Sequence, residues 1–307
     1  MPRDSFSFDP RYRNENSTQR DRESFAAAHR SPVHRGQETS EIPSPDSRDQ
    51  RSLKPEREDS PQAHVLRDHT YLLRESELLT MSELGTFRVV AAADLARFAY
   101  ASDNARMERD VRRLKDQGLV SERTLAISGR KTLRILALTK NGKRVVQNTN
   151  RLPEDQRIYH GVVKPREAKH DAELYRLFQT EAARIESAGG KPLRVLLDYE
   201  LKGNLNRDRA RLGNQKDDRQ EIERLAERHG LAVVNGKIPL PDMRIEYQTP
   251  DLELKHVDLE LATRHYRPRG IAAKAKAGFS LYSHREDAPR LRRILDEQEL
   301  SARIFAL

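Results

Sequence analysis

From about residue 67, apolar residues recur at regular intervals. Their spacing predicts helices first along the chain and strands after them. Five apolar side chains suit a first helix with one buried side: Tyr71, Leu72, Leu78, Leu79 and Leu84. A short extended piece is predicted at residues 87–90, and residues 93–99 predict a second, shorter helix.

The third predicted helix, residues 104–117, has an apolar stripe on one side only. Met107, Val111 and Leu114 fall at positions i, i+4 and i+7, which places them on one face. Gly118 ends the helix. Four arginines lie off this stripe and are predicted to face solvent: Arg106, Arg109, Arg112 and Arg113.

A hairpin is predicted directly after the third helix. Residues 119–125 and 132–139 have the pattern of two strands joined by a glycine-containing turn. Arg130 and Lys131 place two adjacent positive charges at its tip. The order of three helices followed by a hairpin is typical of a winged helix-turn-helix domain.

A helix that buries one face and exposes arginines on the other suits a groove of DNA. Arginine bonds phosphate oxygens and pairs in a bidentate manner with guanine. The predicted DNA-binding residues are therefore Arg106, Arg109, Arg112, Arg113, Arg130 and Lys131. A protein–protein module with a solvated arginine face is the alternative that the pattern leaves open.

The first 64 residues have no apolar period and hold 7 of the 15 prolines. Such a composition predicts disorder. This segment contains 11 basic and 12 acidic residues, so the net charge of +9 arises in the rest of the chain. A basic excess on a folded part favours a nucleic-acid partner, although a solvated basic face also produces it.

Some classes of site and location are excluded by what the sequence lacks. The chain has no cysteine, which rules out disulfides, thiol nucleophiles and thiolate zinc sites. It has no apolar run near 18 residues, and its start lacks the apolar core of a secretory signal. We therefore predict a cytoplasmic protein that does not span a membrane.

Helices and strands alternate beyond a polar, proline-bearing linker. Helices are predicted at residues 170–187 and 217–228, strands at 193–199, 243–247 and 252–261, and a polar loop at 202–216. The last of these strands carries apolar side chains on one side and Asp258 and Glu260 on the other.

Asp242 precedes the neighbouring strand, so three carboxylates are predicted to lie close together. Clustered carboxylates repel one another unless a cation neutralises them, and magnesium prefers oxygen ligands. Asp242, Asp258 and Glu260 are therefore candidate magnesium ligands. An ordinary solvated strand face is the alternative.

From residue 67 to residue 307 the sequence resembles the replication-relaxation family of bacterial mobile-element and plasmid proteins. The resemblance lies in the order of short motifs: Leu138-Thr139-x-x-Gly142, His170-Asp171, Pro241-Asp242, Asp258-x-Glu260-x-x-Thr263, and a following segment with Lys274, Lys276 and Tyr282. It implies a winged helix followed by a domain similar to the PD-(D/E)xK restriction-endonuclease fold, a mixed sheet flanked by helices. The implied role is replication, transfer or relaxation of a mobile element.

The resemblance also implies roles for individual residues. Asp242 would be the first acidic ligand and Asp258 or Glu260 the second, in magnesium-dependent cleavage of a phosphodiester bond. No lysine stands two residues after either acid, and Lys274 or Lys276 would supply the positive charge instead. Both an active endonuclease or nickase and a non-catalytic regulator with a degenerate nuclease domain remain open.

The sequence thus predicts an α+β multidomain protein. Its parts are a disordered tail (1–66), a winged helix (67–149), a linker (150–166) and a nuclease-like α/β domain (167–307). The predicted partners are DNA and replication or conjugation proteins. Lesser candidates are Glu173 as an auxiliary metal residue, His170 as a base, and a basic turn of Arg264, His265, Arg267 and Arg269.

Overall fold

The computed structural model describes residues 60–128, 131–161, 164–213, 218–263 and 266–307. Residues 1–59 of the predicted disordered tail lie outside the described residues. Three predicted site residues also lie outside them: Arg130, Arg264 and His265.

The N-terminal half, residues 60–161, contains four helices and two small sheets in its described part. Its elements are β1 (Gln62–Leu66), β2 (His69–Leu73), α1 (Glu75–Phe87), β3 (Val90–Ala91), α2 (Ala92–Ala99), α3 (Asn104–Asp116), β4 (Val120–Ser128), β5 (Lys131–Leu138) and α4 (Lys140–Asn148). Strands β1 and β2 form an antiparallel hairpin, and the second sheet has the order β3-β5-β4.

The hairpin of β1 and β2 corrects two predictions. Residues 62–66, predicted as the end of the disordered tail, form a strand, and Tyr71 and Leu72, predicted on a helix, lie on its partner. Tyr71 and Leu73 are buried while Leu72 between them is exposed, which is the two-residue alternation of a strand. The first helix begins only at Glu75.

Local pattern was sufficient for the rest of this half. Helix α3 covers the predicted segment 104–117 except for its last residue, and β4 and β5 confirm the predicted hairpin. Helix α2 also lies where a short helix was predicted. The helices depend on apolar periods of three or four residues, and the hairpin on two strand patterns around a turn, all of which a sequence displays directly.

The C-terminal half, residues 164–307, is a mixed sheet flanked by helices. Its described elements are α5 (Pro165–Ser187), β6 (Lys191–Leu197), α6 (Asp198–Arg211), α7 (Arg219–Arg228), β7 (Met243–Gln248), β8 (Leu254–Leu261), α8 (Pro268–Lys276), β9 (Ser280–Ser283), α9 (Ala288–Asp296) and β10 (Ile304–Ala306). The sheet order is β10-β9-β8-β7-β6. Strands β6, β7 and β8 are antiparallel neighbours, whereas β9 runs parallel to β8 and to β10.

One predicted loop in this half is a helix. Residues 202–216 were expected to be a polar loop, but α6 extends to Arg211. Leu201 and Leu205 are buried at positions i and i+4, so this helix needs only two apolar residues to pack against the sheet. Such a sparse apolar pattern is easily taken for a loop.

Helix α5 packs against both halves of the chain. The ring of Phe87 in α1 lies 5.1 Å from Tyr175 and 4.9 Å from Phe178, both in α5. Arg176 of α5 binds both carboxylate oxygens of Asp94 in α2, at 2.9 and 3.0 Å. The hydrophobic core is therefore continuous between the N-terminal and C-terminal halves.

The described part of the predicted linker also contacts both halves. The Gln156 side chain donates to the carbonyl of Val195 at 2.9 Å and accepts from its N–H at 3.0 Å. The N–H of Tyr159 donates to the carbonyl of Gly85 at 2.7 Å. Since these are buried backbone partners, this segment joins the two halves closely.

Candidate DNA interface and acid cluster

Helix α3 is held by its apolar stripe and by its first turn. Met107, Val111 and Leu114 are at most 2% exposed, as the spacing predicted. The side chain of Asp103 caps the helix by accepting from the N–H of Arg106 at 2.9 Å. After the helix, Gly118 has a φ of 69°, a left-handed conformation that favours glycine.

The arginines of α3 do not all face the same way. Arg109 and Arg112 are exposed and Arg106 is half-buried. Arg113, however, pairs with two buried carboxylates, Glu77 at 3.3 Å and Asp110 at 3.4 Å. Arg113 thus also has a structural role, because its loss would leave buried negative charge without its partner, and its contact with DNA stays a prediction.

The hairpin β4–β5 is tied to α3 by Arg134. Its guanidinium donates to Glu108 of α3 at 2.8 Å and to Glu122 of β4 at 3.1 Å. The hydrogen bond with Arg134 lowers the pKa of both carboxyl groups, which keeps them ionised. Sequence reasoning missed Arg134, since only the fold places the middle of β5 opposite the helix.

The opposite face of the hairpin is covered. Leu125, Leu133 and Ile135 pack in one cluster with Ala168 and Ala172 of α5. The exposed end of the hairpin therefore remains for a ligand. Lys131, one of the two basic residues predicted for the tip, is exposed there.

An acid cluster forms at the end of the sheet where β6 ends, β7 begins and β8 ends. Asp242 and Glu260 lie side by side, with the N–H of Asp242 donating to Glu260 Oε2 at 3.2 Å. Lys274 Nζ donates to the same oxygen at 2.8 Å, and Tyr266 donates its hydroxyl to the other oxygen. The N–H of Leu261 donates to Asp242 Oδ2 at 2.8 Å.

His170 and Asp198 complete this cluster. His170 Nε2 lies 3.4 Å from Asp242 Oδ2, and its other ring nitrogen lies 3.8 Å from Asp171. Burial alone would lower the pKa of His170, but the two carboxylates raise it to about 10, so the imidazole is positively charged. Burial, together with Asp242 and Asp171, raises the pKa of Asp198, which sequence reasoning missed.

The N-terminal half reaches the acid cluster through Arg88. Its guanidinium lies 3.4 Å from Asp171 and stacks over the Tyr199 ring at 4.3 Å. Arg88 has a φ of 64°, and the N–H of Val89 donates to the carbonyl of Phe87 at 2.6 Å. This is a γ-turn with a strained centre, held by the contacts of the arginine side chain.

Asp258 is separated from the other two acids by its own ion pair. Arg244 binds it in a bidentate manner at 2.6 and 2.8 Å and also donates to the carbonyls of His229 and Gly230. Asp258 therefore belongs to a separate ion pair, and the structure does not bring the three predicted ligands together. Within the described ranges no three His, Cys, Asp or Glu side chains are grouped as ligands of one metal ion.

The two predicted lysines of α8 lie on different faces of that helix. Lys274 reaches Glu260, whereas Lys276 is exposed on the other side, since two residues correspond to about 200° of rotation. Lys276 is therefore removed from the predicted catalytic set. The half-buried Glu173 pairs with Lys169 at 3.7 Å and with His284 at 3.3 Å, apart from Asp242 and Glu260.

The burial of the Glu260 carboxyl group leads us to predict that the stability of the protein depends on pH. The Glu260 side chain is fully buried, and burial together with the charge of Asp242 raises its pKa from 4.5 to about 7, against the opposing effects of Lys274 and Tyr266. The folded protein thus binds this proton more tightly than the unfolded chain does. Stability should therefore fall as pH rises from about 4.5 to about 7.

Thermal melting of the wild type and of Glu260→Gln at several pH values checks this prediction. The difference in melting temperature between the two proteins should shift in favour of the variant as the pH increases across that window. A constant difference would mean that Glu260 does not titrate there.

Comparison with known proteins identifies no family for this chain. No family model matches it, and no curated protein matches it. Among solved structures it is similar to Bacillus subtilis PadR in complex with operator DNA, with 19% identity over 48% of this chain and 75% of that chain, and a TM-score of 0.21. None of the described helices is long and apolar enough to cross a bilayer.

Proposed function

We propose that this protein binds duplex DNA through α3 and the hairpin β4–β5. The order α1, β3, α2, α3, β4, β5 is that of a winged helix-turn-helix, in which the last helix enters the major groove. One observation carries the proposal: Arg109 and Arg112 are exposed opposite the buried stripe of α3, beside a hairpin tied to that helix by Arg134. Arginines so placed can bond phosphate oxygens or guanine edges.

Binding of duplex DNA at a series of salt concentrations tests this proposal. Affinity should fall steeply as salt increases, because each phosphate that the protein neutralises releases a counterion. If α3 is instead a protein–protein surface, the chain will show no salt-sensitive affinity for DNA.

We further propose that the DNA belongs to a plasmid or another mobile element. The chain would then act in the cytoplasm in replication, transfer or relaxation, with replication or conjugation proteins as partners. This proposal rests on the resemblance to the replication-relaxation family. The meeting of its motif residues Asp242, Glu260 and Lys274 in one cluster supports it.

A second candidate function is magnesium-dependent cleavage of a phosphodiester bond in the C-terminal half. The observation that favours it is the ammonium group of Lys274 at 2.8 Å from Glu260, with Asp242 alongside. Asp242 and Glu260 would hold the cation, while Asp258 does not fit the ligand set. A bound magnesium ion polarises a phosphate, and Lys274 would stabilise the negative charge that develops.

The opposing hypothesis is a regulator that binds DNA without cutting it. It is favoured by the internal cations His170 and Lys274, which already neutralise part of the acid cluster. Nicking of supercoiled plasmid with and without magnesium distinguishes the two hypotheses. The regulator would bind DNA in the same samples and leave the plasmid supercoiled.

A further inference from the structure

The face of α8 that points away from Glu260 borders an open cavity of about 300 Å³. We call it the α8 cavity, and its lining consists of Asn235, Arg269, Ala272, Ala273, Lys276 and Gln298. The residues from α8 stand at positions i, i+3, i+4 and i+7, so they share one face of the helix. The cavity is therefore separate from the acid cluster, although the same helix contributes to both.

The chemistry of this lining suits an anion. Arg269 and Lys276 are positively charged and exposed, and neither forms an ion pair with any carboxylate in the described part of the chain. Asn235 and Gln298 add side-chain amides, which can donate hydrogen bonds. Among the described residues, none that lines the cavity is acidic. Cations together with neutral donors form the usual environment of a bound phosphate group.

A tight turn positions Asn235 at the cavity. Val234 and Lys237 exchange two backbone hydrogen bonds, at 2.8 and 3.1 Å. The two residues between them, Asn235 and Gly236, have φ values of 52° and 70°. Such a two-residue turn favours Asn-Gly, because both positions need a left-handed backbone. The amide is thus presented from a constrained turn.

We propose that the α8 cavity binds a phosphate group of the nucleic-acid backbone, as a second contact in addition to that of α3. The inference rests on the proposed DNA binding and deepens it. Helix α8 would then hold the backbone on one face while it directs Lys274 toward the acid cluster on the other. Free inorganic phosphate has the same chemistry, so the experiment separates the two sources.

The test compares Arg269→Ala/Lys276→Ala with the wild type in DNA binding at several salt concentrations. Removing the two cations that contact this phosphate should lower affinity by about tenfold and reduce the salt dependence of log K by about 1. Lys191→Ala/Arg219→Ala is the matched control, since it removes the same charge from exposed positions on β6 and α7. Equal losses in the two double variants would overturn the proposal.

Two further measurements separate the possible failures. If the salt dependence is unchanged while inorganic phosphate shifts the side-chain amide NMR signals of Asn235 and Gln298, the cavity binds free phosphate and the nucleic-acid proposal is wrong. If Arg109→Ala/Arg112→Ala binds DNA normally while the α8 variant does not, the proposed role of α3 in DNA binding is wrong. The proposal that the α8 cavity binds DNA is then kept. Arg269→Lys/Lys276→Arg should restore the affinity, which excludes a general folding defect.

Discussion

Replacing Arg109 and Arg112 with alanine is expected to weaken binding of duplex DNA by at least about 100-fold at physiological salt. Both side chains are exposed on the face of α3 opposite its buried stripe. A bidentate contact between one arginine and a base contributes about 1–3 kcal/mol to the free energy of binding. A difference of about 1.4 kcal/mol corresponds to a tenfold change in affinity. A fluorescence anisotropy titration with a labelled duplex measures the change.

The same charge-matched control applies here. Lys191→Ala/Arg219→Ala lowers the net charge equally but lies on β6 and α7, so its affinity should change by less than about threefold. The α3 variant should keep its melting temperature to within a few degrees, because both side chains are exposed and lie off the buried stripe. If the two double variants bind DNA alike, α3 is not the recognition helix.

If the C-terminal half cleaves DNA as proposed, replacing Asp242 with asparagine is expected to reduce magnesium-dependent nicking of supercoiled plasmid to the level seen without magnesium. The asparagine oxygen can still accept the hydrogen bond from the N–H of Leu261, so the local backbone is preserved. The negative charge that would hold the cation beside Glu260 is lost. Loss of a charge-stabilising group of this kind typically costs about 100- to 1000-fold in rate.

Asp258→Asn provides the control for this prediction. It removes a carboxylate of the same strand, but one that Arg244 holds in a separate ion pair. It should lower the melting temperature, since Arg244 loses its partner, while nicking by the folded fraction continues. Equal nicking by the wild type and Asp242→Asn would rule out the cleavage hypothesis. The proposed binding of DNA would be unaffected by that result.

Local sequence pattern was enough to predict α3 and the hairpin β4–β5 of the proposed DNA-binding half. The stripe of Met107, Val111 and Leu114 predicted α3, and the strand–turn–strand pattern after Gly118 predicted the hairpin. These patterns depend on residues within one or two turns of each other. The exposure of Arg109 and Arg112 follows from the same period, whereas the inward pairing of Arg113 depends on Glu77 in another helix.

The sequence pattern gave wrong predictions where a helix has few apolar residues and where a strand is stabilised by a partner outside its own segment. Helix α6 buries only two leucines in its middle, Leu201 and Leu205, among many charged residues, and was taken for a loop. Strand β1 is stabilised by pairing with β2, and nothing in residues 62–66 alone displays that pairing. The inter-strand hydrogen bonds of a sheet are not recorded in the period of either strand.

The sequence by itself thus determined the basic α3, its hairpin and the acidic residues at the ends of β7 and β8. The tertiary structure alone decided which of those groups meet. In the folded protein Asp242 and Glu260 lie beside Lys274, and Asp258 forms an ion pair with Arg244. Helix α5 packs against both halves. The physical reason is range: helix periods act over a few residues, whereas ion pairs and packed cores select partners far apart in the chain, which only the fold brings within contact.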